Sequence, residues 1–232
     1  GNVMPPVAKT MKRDFPEVLD ATRLRNMGMP RVSYGDKTFR EDKIAFVDSN
    51  FFQIFPLKFI GGDPATSLKD SGNVVISEDV AKRYFGNENA VGKVLEIDKS
   101  NFIVKGVFAQ LPDHFHLNFH YLMSMSSAGI PKQRMQRWTW HQFYTYIKLK
   151  PGTDAQQLQS KFQAYMKKDI FPTFTQVGST FLPFFQPLRD VHLKSSDFVY
   201  DNAVRGNQTY VKALSIIALF VLAIACFNFI NL

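Results

Sequence analysis

Twenty consecutive residues without a charge close this chain: Ala213 to Leu232, ALSIIALFVLAIACFNFINL. Its polar side chains are confined to Ser215, Cys226, Asn228 and Asn231. At 1.5 Å rise per residue, a helix of that length spans roughly 30 Å, the thickness of a bilayer's hydrocarbon core. A helix packed by one face on a soluble core keeps a polar stripe, and this one has none. A helix also closes its main-chain hydrogen bonds internally, as lipid requires. The stretch therefore predicts a transmembrane helix over residues 206–232, entered from Gly206-Asn207 through Tyr210 and Lys212, an aromatic and a snorkelling anchor. Residues 1–205 become an extramembrane domain that feeds it.

About two hundred residues suffice for one sizeable core or two small lobes. Charged residues make up 21% and hydrophobic ones 45%, ordinary globular composition that excludes a disordered chain. Phe is heavily used, 23 of 232 residues, so a large aromatic core or apolar contact surface is expected. The net charge of +8 permits anionic partners without demanding them. The single cysteine, Cys226, lies inside the apolar run and gives the domain neither a disulfide nor thiol chemistry. The chain opens at Gly1 with no signal-peptide pattern, so it is expected to be a piece of a longer protein, with an upstream span to place the domain outside the cytosol.

Pro5-Pro6 and VAKTMKRDF read as a short helix with Val7, Met11 and Phe15 on one side, ended by Pro16. EVLDATRLR reads as a strand. Arg31–Tyr34, Gly35-Asp36 and Lys37–Arg40 form a hairpin, followed by a strand over Lys43–Val47. Asp48-Ser49 is expected to cap a helical turn bearing Phe51, Phe52 and Phe55. Asn73–Ile76 reads as a buried strand, and Ser77 as the cap of a helix stopped by Gly86. Two strands, KVLEID and NFIVKGVFA, follow, joined by Lys99-Ser100. The alternation in DHFHLNFHY, residues 113–121, predicts a strand, as does Trp138–Leu149. Thr153 or Asp154 caps a helix through Lys168 carrying Leu158, Phe162, Tyr165 and Met166 on its apolar stripe. The Phe- and Pro-rich run FPTFTQVGSTFLPFFQPL favours loops and edge strands. The fold class is α+β.

Candidate chemistry is sparse. GNENAVGK, Gly86 to Lys93, fails as a phosphate loop because five residues separate its glycines, Val94 stands in the magnesium-ligand place, and a strand follows. His114, His116 and His120 share one strand face beside Asp113, but His120 lies about 13 Å from His116 at strand rise, too far to share an ion. Lys132, Arg134 and Arg137 beside Trp138 and Trp140 suit anionic headgroups or nucleic acid, yet a loop leading into an aromatic strand needs neither. No G-x-S-x-G, H-E-x-x-H or C-x-x-C motif occurs. No catalytic, cofactor-binding or metal residue is assigned, and no enzyme activity is expected.

Several blocks together carry a resemblance. IAFVDSNFFQIFPLKFIGGDP, NVVISEDVAKRYFGNENAVGKVLEI and FIVKGVFAQLPDHFHLNFHYLMSM, then YTYIKLKPGTD, PLRDVHLKS and YVKALSIIALFVLAIACFNFINL, resemble in order the MacB-like periplasmic core domain of FtsX-type ABC transporter permeases. The terminal block resembles the second transmembrane helix of the Bacteroidetes-like form. The resemblance implies a two-lobed periplasmic domain, with porter and sabre lobes, over residues 1–205, followed by the start of the permease's membrane part at 206–232. It implies a protein of the bacterial inner membrane that transmits ATP-driven conformational change to a periplasmic substrate or partner in export, efflux or lipoprotein release. Its partners would be a cytoplasmic ABC ATPase subunit or domain, a second permease copy, and a periplasmic adaptor or a lipid or protein substrate, with no nucleic acid and no cofactor. Gly86, Gly92 and the helix Ser77–Phe85 carry over as builders of the lobe. The rival readings are a membrane-anchored ligand-binding or signalling ectodomain using the surface around Phe181 to Phe185, and a membrane-anchored hydrolase, which lacks a nucleophile motif.

Overall fold

The computed structural model describes residues 2–111, 117–173, 182–188 and 208–230. The chain divides into two compact units, one holding residues 1–114 and 118–185 and the other 115–117 and 186–232.

The first unit opens with α1, Pro6–Asp14, which buries Val7, Ala8, Thr10 and Met11. Its end is local chemistry: the ring of Pro16 excludes helical backbone at Phe15, which turns extended at φ −118° and ψ 103°. The strand β1, Val18–Gly28, leads into a hairpin of β2, Arg31–Tyr34, and β3, Lys37–Arg40. Gly35 supplies the positive φ of 54° at its first central position. Next come β4, Ile44–Val47, the single turn α2, Phe51–Ile54, and β5, Phe59–Gly62. β6, Asn73–Ser77, is buried throughout and passes directly into α3, Glu78–Phe85. Ser77 Oγ accepts from the Val80 N–H at 3.4 Å, with Glu78 and Asp79 in the first turn, where the helix dipole favours negative charge.

β7, Val94–Ile97, and β8, Ser100–Phe108, form the second hairpin, and β9, Tyr121–Ser124, β10, Tyr144–Leu149, and α4, Ala155–Tyr165, complete the unit. The strands make one mixed sheet in the order β10-β1-β4-β9-β6-β8-β7-β2-β3, with β5 paired to β8 as well. β4 with β9 and β6 with β8 are parallel; the other pairs run antiparallel.

Among the described residues, hydrophobic clusters cover this sheet. One gathers Val80, Tyr84 and Phe85 of α3 with Val74, Ile76, Leu95, Ile97, Val104 and Met123. Another gathers Val7 and Met11 of α1 with Val18, Leu158, Phe162 and Met166. The mixed α+β class read from the sequence is what the chain adopts.

Several local expectations move. The turn of the second hairpin is Asp98-Lys99, both left-handed at φ 45° and 66°, one residue before the expected Lys99-Ser100. Asp98 holds that register by accepting from the Arg31 N–H at 2.9 Å while its own N–H donates to the Arg31 carbonyl. Asp48 gives α2 no side-chain cap, because both its oxygens are taken by Arg23. Within 113–121, residues 113–116 lie outside the described residues and the strand begins only at Tyr121. The N–H groups of His120 and Tyr121 both donate to the Lys43 carbonyl, which a regular ladder with alternating N–H directions does not allow. The strand expected from Trp138 begins at Tyr144, since Trp140 packs edge-on against Phe143 at 5.2 Å and residues three apart in a strand face opposite ways. Asp154 is the cap of α4, accepting from the N–H groups of Gln156 and Gln157. Beyond Tyr165 the helix continues as a wider π turn, Met166–Ile170, which keeps Met166 and Ile170 buried.

In the second unit, α5 spans Gln208–Ile230, and its described side chains, residues 213–229, are all exposed. Among the described residues, no helix is long and apolar enough to cross a membrane. The seventeen side chains from 213 to 229 amount to about 25 Å of helix.

β5 reaches β8 through two glycines. A Cβ on Gly62, at φ 80°, would sit 2.2 Å from the Lys105 carbonyl oxygen, and one on Gly106 would sit 2.5 Å from the Phe59 ring. Gly62→Ala is expected to cost more than ~1 kcal/mol, since backbone cannot yield as a side chain does. Gly86→Ala, at φ 65° with open space around it, should cost less, and urea unfolding of the two variants measures the difference.

Candidate functional site

Lys37, Phe39 and Glu41 alternate along β3 and the residue after it, and all three meet α3. Lys37 Nζ donates to the carbonyls of Arg83 and Tyr84, both at 2.9 Å, so it caps the last turn of α3 with positive charge. Phe39 packs edge-on against Tyr84 at 5.6 Å, and the Arg83 guanidinium lies over the Phe39 ring at 5.7 Å. Glu41, only 5% exposed, holds the Arg83 Nη1 at 2.8 Å and lies 3.3 Å from the Tyr84 hydroxyl. That hydroxyl also lies 3.2 Å from the Val32 carbonyl of β2. The hairpin is thereby clamped to α3 by an ion pair, a phenol and a ring stack. Sequence reading identifies hairpin and helix but not the clamp; the period-two spacing Lys37, Phe39, Glu41 is the signal that one strand face would meet another element.

The electrostatics keep the clamp protonated where protonation matters. Burial first pushes the Tyr84 phenol up to about 12, with the Glu41 charge acting in the same direction. Burial and then the neighbouring Tyr84 and Glu41 push Tyr121 higher still. His120, half-buried on the approach to β9, is pushed down by burial and then by Lys43 and Arg83. At neutral pH the group is therefore a set of neutral phenols around one paired carboxylate. That arrangement binds two elements together.

A second junction holds the sheet's other end. The Arg23 guanidinium engages both Asp48 oxygens at 2.9 and 2.8 Å, reaches the Pro5 carbonyl at 3.2 Å and lies over the Phe143 ring at 5.8 Å. Asn50 bridges Asp20 and the Ala21 carbonyl.

The residues weighed from sequence fall as follows. In GNENAVGK, Gly86 stops α3 at φ 65° and Gly92 turns at φ 90° into β7. Its loop amides are spent internally: Gly92 N–H donates to the Val104 carbonyl and Val91 N–H to Asn89 Oδ1, while Lys93 pairs with Glu88 at 2.7 Å. His114 and His116 lie outside the described residues, and among the described residues no group of three or more potential metal ligands occurs. Of the basic and aromatic group, the structure sets Arg134 over Trp140 at 4.3 Å and adds Arg25 from β1 at 5.9 Å. Trp138 instead packs against the cluster around Phe162.

Arg83 is 36% exposed in its side chain and rehydrates when Glu41 is neutralised, whereas Glu41 stays buried when Arg83 is lost. Arg83→Met is therefore expected to cost about 3–5 kcal/mol and Glu41→Gln only about 1–3 kcal/mol, compared by denaturant unfolding. Because Tyr84 binds its proton more tightly folded than unfolded, its contribution to stability is complete below pH 10.0 and is lost as the pH rises towards about 12. Absorbance titration of tyrosinate should show Tyr84 ionising after the exposed tyrosines, and the step near 12 should vanish in Tyr84→Phe while Tyr121 stays protonated beyond it.

Residues 2–165 match the family described as MacB-like periplasmic core domain. No curated protein matches the sequence. Among solved structures, a permease-protein domain from Porphyromonas gingivalis aligns at 22% identity and TM-score 0.65, covering 75% of this chain and 81% of that one. The periplasmic region of MacB from Actinobacillus actinomycetemcomitans aligns at 18% identity and TM-score 0.56, over 72% and 73% of the two chains. The extracellular domain of the noncanonic ABC-type transporter YknZ from Gram-positive bacteria aligns at 12% identity and TM-score 0.55, over 80% and 90%. These structures share the fold. With residues 2–165 inside the family match, the chain belongs to the MacB-like periplasmic core domain family, a domain of ABC transporter permeases.

Proposed function

We propose that this chain is a noncatalytic mechanical part of an ABC permease, a periplasmic module moved by ATP hydrolysed elsewhere. On this reading residues 1–205 form the porter and sabre lobes, and 206–232 begin the permease's membrane part. The observation that carries it is the family match over residues 2–165 in a chain that runs on into a helix without a charged side chain after Lys212. From 213 to 229 that helix exposes Leu, Ile, Val and Phe on every side. Water-exposed apolar surface costs about 25 cal/mol per Å², and an apolar girdle interrupted by Ser215, Cys226 and Asn228 fits lipid better than a one-sided protein groove. The clamps at Glu41–Arg83 and Arg23–Asp48 suit a part that must move as a body. The partners are a cytoplasmic ABC ATPase, a second permease copy, and a periplasmic adaptor or a lipid or protein substrate; the cargo belongs to export, efflux or lipoprotein release.

The alternative is a membrane-anchored ligand-binding ectodomain without an ATPase, favoured by the exposed Leu182 and Phe184. Replacing residues 2–165 of the full-length permease by a short Gly/Ser linker separates the two. Transport is expected to be lost while the partner ATPase still binds nucleotide. Transport that persists, or a full-length protein that assembles with no ATPase, would overturn the mechanical reading.

A further inference from the structure

Arg23 and Arg25 project from the same face of β1, two residues apart, and each lies over an aromatic ring: Phe143 at 5.8 Å and Trp140 at 5.9 Å. Their charges are treated differently. Arg23 is neutralised by both oxygens of Asp48. Among the described residues Arg25 donates to the side-chain carbonyl of Gln142, with Nε and Nη2 each at 3.3 Å. The third group at its ring is another cation, Arg134, at 4.3 Å from the Trp140 centroid. Among the described residues no carboxylate pairs with Arg25 or Arg134. Burial and then the Arg134 charge push Arg25 below its ordinary value, so the two guanidiniums repel across one indole. The indole N–H of Trp140 is buried and has no acceptor among the described residues. The locality gathers donors and cations, and the Gln142 Oε1 acceptor beside them is already engaged.

We propose that Arg25, Arg134 and Trp140 bind a phosphate-type anion, a free phosphate or a phosphomonoester headgroup. The Arg23–Asp48 pair two residues away shows why a carboxylate is the poorer match: two oxygens are consumed by one guanidinium, which would leave the second arginine unmatched. A phosphomonoester carries about −1.5 to −2 charge and three terminal oxygens at neutral pH, enough for two guanidinium forks. Arginine rather than lysine at both positions fits this, since the planar fork both stacks on the ring and recognises oxyanions. The assignment does not depend on the transport reading.

The chain has two tryptophans, so Trp138→Phe leaves Trp140 as the sole indole reporter. With this chain in detergent micelles at low salt, inorganic phosphate is expected to change Trp140 fluorescence saturably. Arg134→Gln, at an exposed position and with an unchanged circular-dichroism spectrum required as its control, should weaken the apparent affinity at least tenfold, and Arg25→Gln with Arg134→Gln should abolish it. Acetate at matched ionic strength should bind at least tenfold more weakly. Short-chain phosphatidate below its micellar concentration distinguishes the sources: tighter binding than inorganic phosphate assigns a lipid headgroup, and equal or weaker binding assigns the free anion. No saturable phosphate response, an unchanged titration in Arg134→Gln, or acetate binding as tightly as phosphate would overturn the site.

Discussion

A strand of four residues, Tyr121–Ser124, holds the sheet together. β9 pairs parallel to β4 on one side and antiparallel to β6 on the other, and in the strand order it alone joins the β10-β1-β4 end to the β6-β8-β7-β2-β3 end. Every one of its side chains is buried, because both faces are covered. Tyr121 and Met123 enter the cluster around α3, while Ser124 accommodates its hydroxyl by donating to the Leu68 carbonyl at 3.0 Å. A polar or bulky change here would strike two strand interfaces and a core together. The chain crosses between the two ends at β1 to β2 as well, where Gly28 turns at φ 92°. The long sheet is therefore cross-braced.

Each end is then fastened by a different kind of polar junction. The Arg23–Asp48 pair is two-pronged and half-buried, tying β1 to the loop before α2 and to the Pro5 carbonyl. The Glu41–Arg83 pair puts a buried carboxylate under an arginine that still sees water. Neither junction gains much from charge attraction alone, since desolvation offsets it. Their contribution is specificity of position: Lys37 on the last carbonyls of α3 and Glu41 on Arg83 allow only one register of the hairpin against the helix.

Much of this was legible beforehand where one local rule dominates. Pro16 stops α1, Ser77 caps α3, Gly35 turns the first hairpin, and Asp154 starts α4, each by backbone chemistry within a few residues. Where tertiary partners decide, pattern alone misleads. Asp48 has the chemistry of a cap, but Arg23, distant in sequence, claims it. The alternation of Phe115, Leu117, Phe119 and Tyr121 suggests a longer strand than the one that begins at Tyr121, because the Lys43 carbonyl draws two successive N–H groups. Arg134 and Trp140 are grouped correctly by sequence proximity, yet Arg25 joins them from β1. No one-dimensional pattern encodes that meeting.

The placement of charge bears on how such a module would work. A body moved from one end transmits force only if its internal junctions resist more than its outer contacts do. Here the junctions are buried or half-buried pairs and continuous backbone ladders, which ionic strength screens weakly. Among the described residues no carboxylate pairs with Arg25 or Arg134, so there a ligand rather than the fold would set the energy. Strength inside and unsatisfied charge outside separate the holding of shape from the reading of a partner. On the proposed function, a ligand at Trp140 would alter what the module grips without loosening the frame that carries the motion.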